Sequence, residues 1–221
     1  MGHTALAKLL HLGPASGALN NENRRVYARK DEGDYGERWF AQAEILHGLK
    51  VRLLDFHRVD GAARMRAQFV GPLRHPARLL FDVTLDEPVL LPPQQRQIVV
   101  SFFTDLSPHV LTYTLEEILA EKMRSILQRG KSRDYYDVWR LLKEKSDSFD
   151  ADLVRSILRS KCRHKGLEAP SAKALLAPDR LEDARPYWER DLAQQVARPL
   201  PEWATVTTEL PSLLAHLLQE R

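Results

Sequence analysis

The stretch Thr114–Leu142, TLEEILAEKMRSILQRGKSRDYYDVWRLL, decides how this chain is read. Thr114-Leu-Glu-Glu117 has the form of a capping box: the Thr114 hydroxyl accepts the backbone N–H three residues on, and Glu117 reaches back to the cap. That fixes the phase of a helix expected over 115–128. Ile118, Leu119, Met123, Ile126 and Leu127 then form one apolar stripe, and Lys122, four residues from both Ile118 and Ile126, stands in the middle of it. A lysine on an inward stripe needs a partner. Gly130 suits the end of this helix, and Ser132 suits the cap of a second one expected over 133–145. The second helix turns Val138, Leu141 and Leu142 inward, extended toward its N-terminus by Asp134 and Asp137. Two readings stay open. In one, Lys122 pairs with Asp134 or Asp137 as a structural ion pair between neighbouring helices, Asp134 also suiting a helix N-terminus. In the other, the lysine, the two acids and the basic cluster Arg129, Lys131 and Arg133 on the connection receive a polyphosphate or an RNA backbone.

Downstream of this stretch the period stays helical, with helices expected over 151–162, 171–176, 188–196 and 211–220 and prolines 170, 178, 186, 199 and 201 between them. Upstream, Trp39, Phe40, Ala43 and Leu46 recur at helical spacing over 38–46. Three strand-like runs follow at 50–56, 64–70 and 78–85, the last two separated by Gly71-Pro72. Leu90-Leu-Pro-Pro93 interrupts strand character, and 98–103 is read as one more strand. A strand-rich stretch thus gives way to helices after Tyr113, and the domain boundary is expected at 145/146.

Composition bounds the function class. Hydrophobic residues make up 43% and charged residues 29% of the 221, an ordinary globular balance, and no run approaches the roughly 18 apolar residues of a membrane span. With no basic, apolar leader and a single cysteine, Cys162, a soluble cytoplasmic protein is expected. The lone cysteine excludes an internal disulfide and a cysteine-based zinc site. His11, His57, His75 and His109 lack metal-ligand spacing. A net charge of +3 permits contact with nucleic acid without demanding it. The run Arg155, Arg159, Lys161, Arg163, His164 and Lys165 reads as a solvated helix face, and Trp139, Trp188 and Trp203 as packing residues.

Tyr113–Leu142 closely resembles the two C-terminal motifs of the AbiE-type nucleotidyltransferase toxins. The resemblance implies an α+β fold, the polymerase-β-like nucleotidyltransferase mixed sheet with flanking helices, followed by a C-terminal helical region. Residues 1–145 would form the nucleotidyltransferase-like domain and 146–221 the helical region. It further implies that Lys122, in Ala-Glu-Lys, contacts the nucleotide and that Asp134, first acid of Arg-Asp-x-x-Asp, is needed for activity, with Asp137 beside it. Arg129, Lys131 and Arg133 are candidate phosphate contacts. Arg78–Leu85 resembles the family strand that delivers a metal-binding carboxylate, here Asp82. Gly2-His-Thr-Ala-Leu resembles the family's Gly-Gly-Thr-Ala-Leu helix, making Gly2, Thr4 and Ser16 candidate nucleotide contacts, although members normally carry more chain ahead of this point. The expected cofactor is Mg²⁺ or Mn²⁺. The expected partners are an NTP, a tRNA or other RNA (or a protein) as acceptor and a cognate antitoxin, with no membrane.

One departure matters. Where the family carries Ser-x-Asp-x-Asp, this chain has Ser16-Gly-Ala-Leu-Asn20, so Ala18 and Asn20 replace two metal-binding aspartates; Asp31 and Asp34 follow nearby. At about 4 kcal/mol for each close charge pair at an effective dielectric of 20, losing both carboxylates weakens metal binding by orders of magnitude. A second function therefore stands beside catalysis: a degenerate member acting as a nucleotide-binding or protein-interaction module.

Overall fold

The computed structural model describes residues 41, 44–45, 50–59, 61–71, 74–84, 86–97, 109–168, 170–193, 195–196 and 199–219. Residues 41, 44 and 45 are helical, within the helix expected over 38–46, and the strand expected over 98–103 lies outside the described residues. Backbone contacts divide the chain at 87/88 into a sheet unit and a helical unit.

The sheet unit is an antiparallel meander of β1 (Val51–Val59), β2 (Ala62–Val70) and β3 (Pro76–Thr84). The alternation read in β2 holds. Met65, Ala67 and Phe69 lie opposite Phe81, Leu79 and Ala77, while Arg64 lies opposite Asp82 on the open face. In β1, Leu53 and Phe56 are three residues apart and would face opposite sides of a regular strand. A bulge between Leu53 and Asp55 corrects the phase, so both pair with the Ala67 and Met65 face. Gly61, at φ 70°, turns the chain from β1 to β2, and its carbonyl accepts the Asp86 N–H at 3.2 Å. A Cβ there would meet Asp86 Cβ at 3.1 Å.

The helical unit opens with a two-stranded ribbon, β4 (Gln94–Gln97) and β5 (His109–Thr112). Both strands are only four residues long and β4 is polar throughout, which is why neither stood out in the sequence. Then come α1 (Leu115–Arg129), α2 (Ser132–Glu144), a 3-10 turn at Ser146–Ser148, α3 (Ala151–His164), α4 (Ala172–Leu175), α5 (Pro178–Ala184), a 3-10 turn at Arg185–Tyr187, α6 (Trp188–Leu192) and α7 (Trp203–Leu218). Residue 146 falls on the turn between α2 and α3. Helix α1 packs against both, and α7 closes the other side of α2 and α3. The shared core includes Leu119, Met123 and Ile126 of α1, Val138 and Leu142 of α2, Val154 and Leu158 of α3, and Leu210 and Leu214 of α7. Each such side chain, fully buried, stabilises the fold by roughly 1.5–3 kcal/mol.

Several local expectations are corrected. Helix α7 begins at Trp203, eight residues before Pro211, which sits inside it. An interior proline costs about 3 kcal/mol, but Val206, Leu210, Leu214 and Leu217 are all buried on one stripe spanning it. Pro178, expected between helices, starts α5 at its first turn, where its missing N–H is harmless. The 188–196 helix stops at Leu192. Ser132 is not a cap: Lys131 occupies that position without a side-chain hydrogen bond, and Ser132 is the first helical residue. Thr114 does cap α1, accepting the Glu117 N–H at 3.2 Å, and Gly130 ends it in the left-handed conformation.

The Glu117 carboxylate departs furthest from the capping box. It accepts the Leu90 and Leu91 N–H groups at 3.3 Å and pairs with Lys161 Nζ at 2.8 Å. Lys161 also donates to the Pro88 carbonyl at 2.8 Å. Glu117 and Lys161 are each 1% exposed. The basic run on α3 is therefore not uniformly solvated, since Arg155 is buried as well and donates to the Leu217 carbonyl at 2.7 Å. The tryptophans do pack: Trp188 and Trp203 lie 4.9 Å apart, and the Trp139 indole donates to Glu209 at 2.7 Å.

Candidate functional site

Lys122 finds its partners on α2. Its ammonium lies 2.5 Å from Asp137 and 3.6 Å from Asp134, as the two helical stripes require. The connection between α1 and α2 is short enough to turn the last residue of α1 back onto the start of α2. The Arg129 guanidinium thus grips Asp134 with two bonds, 2.9 and 3.1 Å. Asp134 is fully buried and engaged by two cations, while Lys122 and Asp137 are 20% and 34% exposed.

Two positive and two negative side chains make this cluster neutral, so it is stable without a ligand. It is also graded. Asp134 is closed to solvent, Asp137 is open, and Lys122 lies between them. Of the two acids, Asp137 is the one open to an incoming hydroxyl, and Lys122 can donate to an incoming phosphate while staying held. Below them Tyr135, fully buried, donates to the Leu175 carbonyl at 3.0 Å, and burial pushes its hydroxyl pKa up to about 12.

Of the other candidates, Lys131 is exposed at the α2 N-terminus, and the Arg133 side chain, two residues on, makes no hydrogen bond or ion pair among the described residues. Arg133, Tyr136, Asp137 and Arg140 share one face of α2 and, with Leu192, Gln195 and Val196, line a cavity of about 150 Å³. The four α2 residues recur at i, i+3, i+4, i+7 in the sequence, but the opposite wall comes from more than fifty residues downstream and no local pattern marks it.

Asp82, the expected metal ligand, lies on β3 of the sheet unit and is more than half exposed. Arg64 holds it at 2.6 Å across the ladder. Gly2, Thr4, Ser16, Ala18, Asn20, Asp31 and Asp34 lie outside the described residues. Among the described residues no three of His, Cys, Asp or Glu come together as a metal site demands, and Asp134 and Asp137 are already engaged by cations. The described donors do not by themselves fit a divalent ion. No described helix is long and apolar enough to cross a membrane.

No curated protein matches the chain. A solved structure, the nucleotidyltransferase toxin MenT4 from Mycobacterium tuberculosis, is similar in fold. Its TM-score is 0.55 at 18% identity over 79% of this chain, and the match spans 60% of the MenT4 chain. The family model described as nucleotidyl transferase AbiEii toxin of type IV toxin–antitoxin systems matches residues 23–209, from just beyond Ser16–Asn20 to within α7. A match over that much of the sequence, on a fold shared with such a toxin, places this chain in the AbiEii nucleotidyltransferase toxin family.

Proposed function

We propose that this chain transfers a nucleoside monophosphate from an NTP to a hydroxyl of an acceptor, an RNA such as tRNA or a protein, and that a cognate antitoxin restrains it. The observation that supports this best is the graded cluster: a lysine held on an apolar stripe by two acids, one sealed and one open. In the step, the acceptor oxygen attacks the α-phosphorus, a new P–O bond forms, and the bond to the bridging oxygen breaks as pyrophosphate departs. The acceptor proton passes to the Asp137 carboxylate. Lys122 donates to the phosphate oxygens and offsets their charge in a partly dry setting, where such donors are most effective. Asp134 and Arg129 position Lys122 and do not touch the reactants. Lys131 extends the phosphate contact at the head of α2, and Gly2, Thr4 and Ser16 are proposed to complete the nucleotide site. A divalent ion, the family's expected cofactor, would supply further charge at the phosphates, with Asp82 as its proposed ligand; the step described does not run through it.

The test is transfer of label from each of the four NTPs to pooled tRNA with Mg²⁺ or Mn²⁺, beside Lys122→Ala. Transfer by the wild type and a loss of ~100-fold or more in Lys122→Ala is expected. Transfer that survives Lys122→Ala sinks this assignment. The replacement of two aspartates by Ala18 and Asn20 favours a second reading, a binding module without turnover. A silent wild type that gains transfer as Ala18→Asp with Asn20→Asp supports that reading instead.

A further inference from the structure

The cavity beside Asp137 takes no part in the step described above, although Arg133, expected among the phosphate contacts, lines it. We propose that it seats the acceptor: a single nucleotide of an RNA strand, its phosphodiester on Arg133 and Arg140 and its ribose hydroxyl turned toward Asp137. This inference rests on the transfer reading above for what the hydroxyl does, but not for the binding itself.

Arg133 carries the argument. Its Nε–H is buried and meets no acceptor, and the guanidinium has no ion-pair partner among the described residues. A carboxylate stands one helical turn away at Asp137, where an i,i+4 pair would be expected. Lys122 has taken that carboxylate, at 2.5 Å. A cation left without its counter-ion on a cavity wall is a binding site for an anion from outside, and a planar guanidinium suits phosphate. Arg140, two turns along the same face, is held by Glu144 at 2.9 Å; that carboxylate, with help from Tyr136, raises its pKa. It is thus fixed in place as a second phosphate contact.

The cavity's polarity narrows the occupant. Arg133 and Arg140 on one wall select an anionic group. Leu192 and Val196 give the opposite wall an apolar surface for the sugar, and Gln195 adds an amide that can donate or accept. The negative charge of Asp137 repels a phosphate placed beside it and accepts a hydroxyl. An occupant carrying both groups is therefore oriented, phosphate to the arginines and hydroxyl to the acid. A phosphodiester next to a ribose hydroxyl is that pair of groups, and it recurs along every RNA strand.

The experiment measures binding without turnover. A fluorescent single-stranded RNA oligonucleotide is titrated by anisotropy against wild type, Arg133→Gln, Arg133→Lys and Arg140→Gln, with NTP affinity measured by calorimetry on the same samples. Arg133→Gln is expected to weaken RNA binding ~10-fold or more and to lower the slope of log affinity against log salt by about 0.7, as for one lost phosphate contact on a single strand. Arg133→Lys should keep that slope while losing part of the affinity, and NTP affinity should stay within about twofold throughout. Unchanged RNA affinity in both glutamine variants overturns the proposal. So does an equal fall in NTP affinity, which makes the cavity the nucleotide's seat, and so does a wild type that binds no RNA while labelling a protein acceptor. RNA binding that depends on Arg133 in a protein showing no transfer leaves the seat standing and removes the transfer reading alone.

Discussion

In the sheet unit, Arg64 meets Asp82 and Arg66 meets Asp55 across neighbouring strands, and both members of the first pair are more than half exposed. In the helical unit, Lys161 meets Glu117 with each side chain 1% exposed, and Asp134 is sealed completely beneath Lys122 and Arg129. The residue types are the same in both units, and their surroundings decide what they do. Water and salt screen the sheet's pairs, so they order a ladder and add little stability. The helical pairs have lost their hydration and hold only if every partner is present. A unit that tolerates buried charge of this kind can also keep a lysine and an acid poised at the edge of its core.

Breaking the deepest pair should have the largest effect. Lys161→Ala leaves Glu117 buried with only two backbone N–H donors, and urea unfolding is expected to show a loss of about 3–5 kcal/mol. Glu117→Gln with Lys161→Met keeps an acceptor for Leu90 and Leu91 and removes both charges. It should therefore recover a good part of that loss, and a double variant no more stable than Lys161→Ala would show that the charges are not the cause. Next comes Asp134→Asn, which frees Arg129 to water but leaves Lys122 with one acid. A loss of about 2–3 kcal/mol is expected, since one cation can rehydrate, together with loss of transfer. Asp137→Asn should separate the two effects: stability within about 1 kcal/mol of wild type in the same unfolding assay, transfer abolished.

The same contrast explains what could be read in advance. Lys122 with its two acids was legible because α1 and α2 are adjacent, their phase was fixed by Thr114 and Gly130, and a lysine inside an apolar stripe announces a missing partner. Lys161 sends the same signal, four residues from Ile157 and three from Leu158 on the buried stripe of α3. It was lost in a basic run, and Glu117 already had a local explanation as a capping residue. Periodicity gives each helix its inward face, but a pair 44 positions apart depends on which faces meet. Pro211, inside α7 and not at its start, differs from expectation for a related reason. A proline is the usual sign of a helix start, and the stripe from Val206 to Leu217 that overrides it is visible only when residues on both sides are taken together. The cavity at Arg133 needs a wall from beyond α6, which no local pattern places.

A smaller effect tests the burial of Tyr135, the residue after Asp134. Tyr135 has its pKa raised from 10.0 to about 12 by burial, so the fold favours the neutral phenol. The linked stability is fully present below pH 10 and is lost as pH climbs from the unfolded value toward the folded one. Absorbance titration should show one tyrosine ionising late, and Tyr135→Phe should remove both that late step and the matching alkaline loss of stability. At neutral pH the variant should cost about 1 kcal/mol, for the missing bond to Leu175. A Tyr135 that ionises with the exposed tyrosines would mean that its hydroxyl is not held in a dry setting.

The smallest expected effect lies on the sheet, and it sharpens the comparison most. Arg64 and Asp82 face water from neighbouring strands, and the Asp82 carboxylate beside Arg64 raises the guanidinium pKa further above its ordinary range. Because both charges stay hydrated when parted, Asp82→Asn and Arg64→Ala should leave the unfolding midpoint within the error of the measurement, at low and high salt alike. Transfer can then be read in these variants without correcting for folding. If Asp82 serves only the ladder, the two substitutions act alike and transfer is unchanged. As a metal ligand it would behave differently: Asp82→Asn should then abolish transfer and abolish its dependence on added Mn²⁺. Arg64→Ala, by freeing the carboxylate, should lower the Mn²⁺ concentration needed for half-maximal transfer, a reversal of sign that a purely structural ion pair cannot produce.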